Sequence, residues 1–343
     1  MDAAAAPAVT FGIGLLPHYP PDQFVRLAQL AEARGFDRVW VPDERFYRDC
    51  YAYLTLCATH TGRVRMGPCV TDPYTRHPAL TAMAMATLDE IAGGRAILGI
   101  GAGVSGFDAM GIRRTSPAVA LREAIAIIRA LWRGERVTAA GEVISLKAGR
   151  LDFQARPDIP VYVAGRGPKI LEIGGEVGDG VIVGALASSA TLGYAMSNIR
   201  AGQRRRATGL GPPEIVLWLH TAIDADGARA RQAVRRIVVG VLLSSLPVLD
   251  SLGVALPDDL RERLGRITYG VQSPEMIEAA RLVPDEVLDH FTMAGDGAFC
   301  GRKVNELARG GVTHVAVLPW LTPGQTIEDF VATFADELIG SRR

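Results

Sequence analysis

Residues 64–103 read VRMGPCVTDPYTRHPALTAMAMATLDEIAGGRAILGIGAG. Two short apolar runs, at 64–70 and 96–100, flank a segment that predicts a helix beginning near Pro78. An apolar run without polar alternation is typical of a strand covered on both faces, as in a parallel sheet packed between helices. This unit of strand, helix and strand decides the fold because it recurs along the chain.

The recurrence predicts eight strands, each followed by a helical pattern. The predicted strands span residues 9–16, 38–41, 64–70, 96–100, 160–164, 180–183, 215–221 and 313–318. In the last helix, Ile327, Phe330 and Phe334 fall on one apolar stripe. Eight such units favour an α/β fold of the (β/α)8 barrel type over a doubly wound open sheet, which usually has fewer strands.

Two segments interrupt this rhythm. Residues 136–153 predict a β-hairpin with Gly141 near its turn, and residues 245–300 contain about two helix lengths with loops. We interpret the second segment as a helical insertion near the barrel mouth, or alternatively as a small helical subdomain packed on the side. The predicted organisation is one barrel domain over residues 1–343 with these two excursions.

The composition limits the classes of partner. Of 343 residues, 48% are apolar and 22% charged, which is typical of a globular chain. Lys and Arg together number 37, as do Asp and Glu, so no general field attracts nucleic acid or an anionic membrane surface. No apolar run approaches the roughly 20 residues of a membrane span. We therefore expect neither a nucleic-acid partner nor a membrane partner, which leaves room for a local phosphate pocket.

The cysteines and histidines argue against a metal site. The four cysteines form no CxxC pair and the six histidines are dispersed, so we expect neither a zinc site nor a disulfide scaffold. Residues 1–8 lack the cationic start and apolar core of a signal peptide. These features predict a cytoplasmic protein without a metal.

Two glycine-rich strand ends are the strongest candidate binding elements. Residues 101–106 (GAGVSG) match GxGxxG, but the next helix starts only near Ser116, which disfavours a dinucleotide fingerprint. Residues 164–169 (AGRGPK) run directly into a helix, whose N-terminus favours an anion. Since barrel sites lie at these strand ends, the two loops predict a backbone cradle for a phosphorylated cofactor. Tight turns with solvated cations remain the alternative.

Three stretches resemble the luciferase-like flavin monooxygenase superfamily, and within it the deazaflavin-dependent reductases of the methylenetetrahydromethanopterin reductase type. They are residues 68–103, residues 39–44 (VWVPDE) and residues 164–184 (AGRGPKILEIGGEVGDGVIVG). The resemblance implies a (β/α)8 barrel of the bacterial luciferase-like type with an insertion before its last strand. It also implies a homodimer and a flat tricyclic cofactor at the barrel mouth.

The resemblance further implies which residues contact that cofactor. A non-proline cis peptide bond is implied at about Cys69–Val70, where it bulges against the ring. The implied ring contacts are Asp43, Cys69, Val70, Thr71 and Asp72. The implied contacts to the phosphate-bearing tail are Gly101, Ala102, Gly103, Val104, Ala164, Gly165, Arg166 and Gly167.

Two positions depart from the family pattern. Gly14 stands where the pterin reductases place a glutamate as a proton donor, so His18 and Glu44 are the candidates to replace that acid. Asp72 stands where asparagine is common. A carboxylate beside a reduced, partly anionic ring is repelled unless it is protonated or turned away.

The resemblance therefore implies an oxidoreductase that passes hydride between the deazaflavin coenzyme F420 and a small organic substrate. The first alternative is an FMN-dependent monooxygenase on the same fold. The second is a cofactor-binding member of the family that has lost turnover, which the Gly14 departure motivates.

Overall fold

A computed structural model describes residues 9–103, 106–267 and 274–340. Its strands are β1 (Thr10–Gly14), β2 (Arg38–Val41), β3 (Arg65–Pro68), β4 (Leu98–Gly101), β5 (Val137–Ala140), β6 (Ser145–Gly149), β7 (Val161–Gly165), β8 (Gly180–Gly184), β9 (Glu214–Ile223), β10 (Thr292–Gly295) and β11 (His314–Pro319). Its α-helices are α1 (Pro21–Ala33), α2 (Cys50–His60), α3 (Pro78–Ile91), α4 (Pro117–Trp132), α5 (Pro168–Val177), α6 (Ser189–Gln203), α7 (Gly227–Ser245), α8 (Asp258–Leu264), α9 (Pro274–Leu282), α10 (Asp285–Phe291), α11 (Gly297–Arg309) and α12 (Ile327–Phe334).

Eight parallel strands of the described chain form the barrel. They follow the order β3-β2-β1-β11-β9-β8-β7-β4. The barrel closes between β3 and β4, where the backbone nitrogen of Ile97 donates to the Met66 carbonyl at 2.8 Å and that of Thr71 donates to the Gly99 carbonyl at 3.1 Å. These are the eight strands predicted from the apolar runs, so the (β/α)8 barrel is confirmed.

The closing contact depends on two glycines. Any other residue at either position would force the backbones of β3 and β4 apart. A Cβ atom at Gly67 would lie 1.9 Å from the Ile97 carbonyl oxygen, and one at Gly99 would lie 2.1 Å from the Pro68 carbonyl oxygen. Both obstacles are backbone atoms, which cannot rotate away as a side chain can. The absence of side chains at these positions therefore lets β3 and β4 approach each other.

The interior of the barrel is filled by inward-facing side chains of alternate strand residues. One cluster comprises Trp40, Ile97, Tyr162, Ile182, Val216 and Ala316. At the N-terminal end of the strands, Arg38 forms ion pairs with Asp37 and Glu214. This packed core closes the bottom of the barrel and leaves its C-terminal end for a site.

Helix α3 begins as the sequence predicts. Pro78 occupies the first helical position, and Nδ1 of His77 accepts from the backbone nitrogen of Ala79 at 3.1 Å. Nε2 of His77 lies 3.0 Å from the Ser145 carbonyl oxygen. His77 is therefore the capping residue of α3.

Two regions lie outside the simple alternation of strands and helices. Strands β5 and β6 pair antiparallel between α4 and β7. Between β9 and β11 the described chain forms α7 to α11 and the short strand β10, with residues 268–273 outside the description. Strand β10 was not predicted; it pairs with the distal part of β9, from Thr292 opposite His220 to Gly295 opposite Ile223.

None of the helices that the structure describes combines the length and apolar character needed to cross a bilayer.

The glycine pair at the closing contact gives a stability prediction. We expect Gly67→Ala to lower the free energy of unfolding by about 3 kcal/mol, because the new methyl group must push the β4 backbone away. Urea denaturation followed by circular dichroism measures the change. The matched control is Gly193→Ala in α6, where a Cβ meets nothing within 4 Å. This control should gain about 0.5–1 kcal/mol from the better helix former. Equal stability of the two variants would contradict the close approach.

Candidate active site

Two adjoining cavities open at the C-terminal ends of the barrel strands. The larger has a volume of about 550 Å³ and the smaller about 280 Å³. The residues that line both are Cys69, Val70, Gly103, Arg166, Trp218 and Ser244. Every barrel strand, or the loop directly after it, contributes to the lining, and α7 borders one side. This is where a barrel enzyme places its chemistry.

One wall of both cavities is formed by the segment directly after β3. The Cys69–Val70 peptide bond is cis, at the position that the resemblance implies. Val70 packs against β4, since a Cβ at Gly101 would lie 2.8 Å from its Cγ2. Cys69 and Val70 thus lie on the lining together with Gly101, as the sequence analysis expected of residues near one ligand.

Asp72 lies behind this wall. Its side chain is fully buried and forms an ion pair with Arg45, and its Oδ1 accepts from the backbone nitrogens of Tyr74 and Thr75, each at 2.8 Å. The guanidinium of Arg45 also stacks on Phe107, 4.4 Å from the ring centroid. The carboxylate is therefore paired and turned away from the cavity, which removes the repulsion expected from an aspartate at this position.

Asp43 and Thr71 form a second polar pair. Oγ1 of Thr71 donates to Oδ2 of Asp43 at 2.8 Å, and Asp43 lines the smaller cavity while Thr71 is fully buried. Burial raises the pKa of Asp43, an effect that the Thr71 hydrogen bond opposes. Asp43 is thus a carboxyl group whose proton affinity is increased where it meets the cavity.

The glycine-rich loops border the larger cavity, as the cradle hypothesis requires. Residues 101–103 and 164–167 line it, whereas Val104 lies outside the described residues. Helix α5 follows directly, with Gly167 as its N-cap and no side chain capping it. No capping side chain therefore accepts from the first backbone N–H groups of this helix. These groups can donate to an anion instead.

Two guanidinium groups add positive charge to the same cavity. Arg114, which the sequence analysis did not single out, donates to the Gly103 carbonyl and lines the cavity. Arg166 extends from the end of β7 to α7, where it donates to Ser245 Oγ at 2.7 Å and Ser244 Oγ at 2.8 Å. Glycine loops, an uncapped helix and two arginines together fit the phosphate of a cofactor.

The two predicted proton donors are placed differently. Glu44 lines the smaller cavity beside Asp43. His18 is exposed, stacks on Tyr19 with 4.0 Å between ring centroids, and lies on the lining of neither cavity. Of these two residues, Glu44 is the one that can contact a ligand in the smaller cavity.

The structure explains why position 14 is a glycine, which the sequence alone could not. A Cβ at this position would lie 2.4 Å from Cη2 of Trp218, which extends from β9 and lines both cavities. The indole ring thus occupies the volume that a side chain at position 14 would need. A glutamate at position 14 and this placement of Trp218 exclude each other.

His220 is a further lining residue that the sequence analysis missed. It lies two residues after Trp218 on β9 and lines the smaller cavity. Nε1 of Trp320 donates to its Nδ1 at 3.0 Å. The period of two in Val216, Trp218 and His220 was the available signal, because alternate residues of a barrel strand face inward. Within the described residues, no group of three His, Cys, Asp or Glu side chains is arranged to hold a metal ion.

The chain is similar to known proteins in both sequence and structure. Residues 7–314 match the family model described as luciferase-like monooxygenase. The 5,10-methylenetetrahydromethanopterin reductase of Methanolobus tindarius is 35% identical over 337 residues, which cover 97% of this chain and 100% of that protein.

Two solved structures share the fold. The coenzyme F420 dependent tetrahydromethanopterin reductase from Methanopyrus kandleri superposes with a TM-score of 0.84 at 29% identity, covering 98% of this chain and 100% of that one. An F420-dependent secondary alcohol dehydrogenase in complex with an F420-acetone adduct gives a TM-score of 0.80 at 22% identity, with 98% and 100% covered. The second likeness concerns the fold alone.

The contact between positions 14 and 218 predicts an energetic coupling. We expect Gly14→Ala to lower the free energy of unfolding by about 2 kcal/mol, because the methyl group displaces the indole ring. In a Trp218→Phe background the cost should fall by at least half, since the smaller ring leaves space. A double-mutant cycle by urea denaturation measures this coupling. Additive effects of the two substitutions would show that the contact does not carry the cost.

Proposed function

Since this chain belongs to the luciferase-like monooxygenase family, we propose that it is an oxidoreductase that uses coenzyme F420 to transfer hydride to or from a small organic substrate. The observation that carries the proposal is the near full-length likeness to a reductase of 35% identity, together with the likeness to a solved F420-dependent structure. The cavity at the barrel mouth supports it independently.

The residues present fit the cofactor. Residues 101–103 and 164–167 would hold its phosphate, with the start of α5, Arg114 and Arg166 supplying N–H groups and positive charge. Val70 and Cys69 would support the ring from the β3 side. When bound, the deazaflavin ring supplies a two-electron hydride carrier, and the protein supplies binding and orientation.

The chain's own residues then do three things. At the cavity edge, an ion pair with Asp72 fixes the guanidinium of Arg45. A hydrogen bond from Thr71 fixes the carboxyl group of Asp43. Trp218 and α7 line the smaller cavity and contribute apolar surface to it. Glu44 lies on the lining, and we assign it as the carboxyl group that exchanges a proton with the substrate.

Gly167 offers a selective test of cofactor binding. A Cβ at this position meets no protein atom within 4 Å, so Gly167→Val adds a side chain that only a ligand in the cavity would encounter. We expect its affinity for F420 to fall at least tenfold, with urea stability lowered by no more than the roughly 1 kcal/mol that a poorer N-cap costs. Titration followed by the intrinsic fluorescence of F420 measures the affinity.

The matched control is Gly211→Val, at another glycine with open space around it and away from the cavity lining. Its F420 affinity should equal that of the unaltered protein. Tight binding of FMN without binding of F420 would instead favour the FMN-dependent monooxygenase. Binding of F420 without any hydride exchange, over a broad set of substrates, would favour the non-catalytic alternative.

We also propose that the enzyme is a homodimer formed through α3. Leu80, Met83 and Ile91 are exposed on one side of this helix, with Thr87 between them. Their spacing of three or four residues places them on one apolar stripe. An exposed stripe of this kind marks an interaction surface.

Light scattering coupled to gel filtration tests the dimer. We expect Leu80→Glu to shift the mass to that of a monomer, because a charge within an apolar interface is desolvated without a partner. The control is Ile277→Glu in α9, since Ile277 and Leu80 are each 49% exposed. A monomeric unaltered protein, or a dimer that persists in Leu80→Glu, would contradict this interface.

The cysteines support a location for the enzyme. Cys50, Cys57, Cys69 and Cys300 are all free thiols, and three of them are buried. Disulfides are rare in a reducing compartment. We therefore propose that the enzyme acts in the cytoplasm.

A further inference from the structure

His220, which lines the smaller cavity, forms a hydrogen-bonded pair with Trp320. His220 extends from β9, and Trp320 follows directly after β11, the neighbouring strand. The Trp320 backbone nitrogen donates to the Thr221 carbonyl at 2.8 Å, so the two side chains are held in register by the barrel itself. Neither residue belongs to the groups already assigned to the cofactor.

The hydrogen bond between the two rings fixes the tautomer of the histidine. An indole N–H can only donate, so Nδ1 of His220 accepts and the proton of the neutral ring lies on Nε2. Burial and the nearby Arg166 lower the pKa of His220 to about 3, which keeps the ring neutral. Among the described residues, no protein group accepts a hydrogen bond from Nε2.

The other residues around this ring define what can approach it. The smaller cavity has a limited volume of about 280 Å³. The apolar residues on its lining are Leu16, Val70, Ile237 and Leu318. The charged groups on the same lining are Asp43, Glu44, Arg45 and Arg166. A ligand there is therefore small and carries an oxygen or nitrogen that can accept from the histidine.

We propose that His220 is a catalytic residue that donates from Nε2–H to the substrate oxygen, and that the substrate is consequently a small ketone or aldehyde, or the corresponding alcohol. This inference rests on the proposed function. An iminium carbon, by contrast, presents no lone pair to a donor. A neutral imidazole suits the task because it polarises a carbonyl without introducing a charge beside the ring.

The step balances as a two-electron reduction. The carbonyl carbon gains hydride from the reduced cofactor, which is thereby oxidised, and the electron pair of the C=O π bond moves to the oxygen. Nε2–H of His220 stabilises the developing negative charge on that oxygen. The oxygen then takes a proton from the Glu44 carboxyl group, which solvent reprotonates. Oxidation of an alcohol follows the same path in reverse.

Trp320 is the positioning residue of the pair. It holds the imidazole in the tautomer that presents a donor to the cavity, and it does so without contact to the substrate. ¹⁵N-resolved NMR of the full chain reads this tautomer directly. We expect a neutral ring with an unprotonated Nδ1 between pH 5 and pH 8, and a mixture of tautomers in Trp320→Phe.

The probe for the oxygen site is trifluoroacetamide, whose carbonyl accepts a hydrogen bond and is not reduced. Its affinity for the protein loaded with oxidised F420 is measured by ¹⁹F NMR. We expect His220→Phe to weaken binding about tenfold, the effect of one lost hydrogen bond, and His220→Gln to restore most of it, because its amide nitrogen donates from a similar place. The control His60→Phe, at an exposed position in α2, should bind as the unaltered protein does.

Turnover adds a second measurement. With reduced F420 and butanone, His220→Phe should lose about a hundredfold in kcat while its F420 affinity stays unchanged. Failure of F420 to bind the unaltered protein would overturn the proposed function itself. If F420 binds, this inference is overturned by a protonated Nδ1, by failure of the unaltered protein to bind trifluoroacetamide, or by equal trifluoroacetamide affinity in His220→Phe.

Discussion

The close approach of β3 and β4 is the constraint on which the site depends. Gly67 and Gly99 lie against carbonyl groups of the facing chain, and this contact closes the barrel. Closure brings Cys69 and Val70 beside Gly101, so the wall of the site and the first glycine-rich loop share one structural origin. A barrel left open here would separate these two surfaces, between which we propose that the planar cofactor lies.

Two carboxyl groups of this site are not kept away from it; each is held by a partner side chain. Asp72 is buried with Arg45, and Asp43 is bonded to Thr71, so each carboxylate has a partner before any ligand arrives. Burying one member of such a pair alone costs several kcal/mol, and a matched partner with additional hydrogen bonds offsets that cost. The positive groups Arg114 and Arg166 lie on the side where an anionic tail is proposed. The paired carboxylates and the arginines of the proposed tail site thus lie on different sides of the cavity.

The sequence predicted the eight barrel strands because continuous apolar runs report burial on both faces, which is a local property. It missed β10, since four residues that follow a helix carry too little pattern, and their pairing with β9 is a tertiary effect. The glycine-rich loops could be found for the same local reason. The relation between Gly14 and Trp218 could not, because it joins residues about two hundred positions apart. His220 was within reach of sequence reasoning, through its alternation with Trp218.

The indole of Trp218 has a consequence for how such barrels diverge. Position 14 and position 218 compete for one volume, so an ancestor with an acidic group on the first strand could not acquire this tryptophan without first giving up that acid. Steric exclusion makes the exchange all-or-nothing, because a barrel of this geometry holds either a side chain at position 14 or this indole ring, but not both.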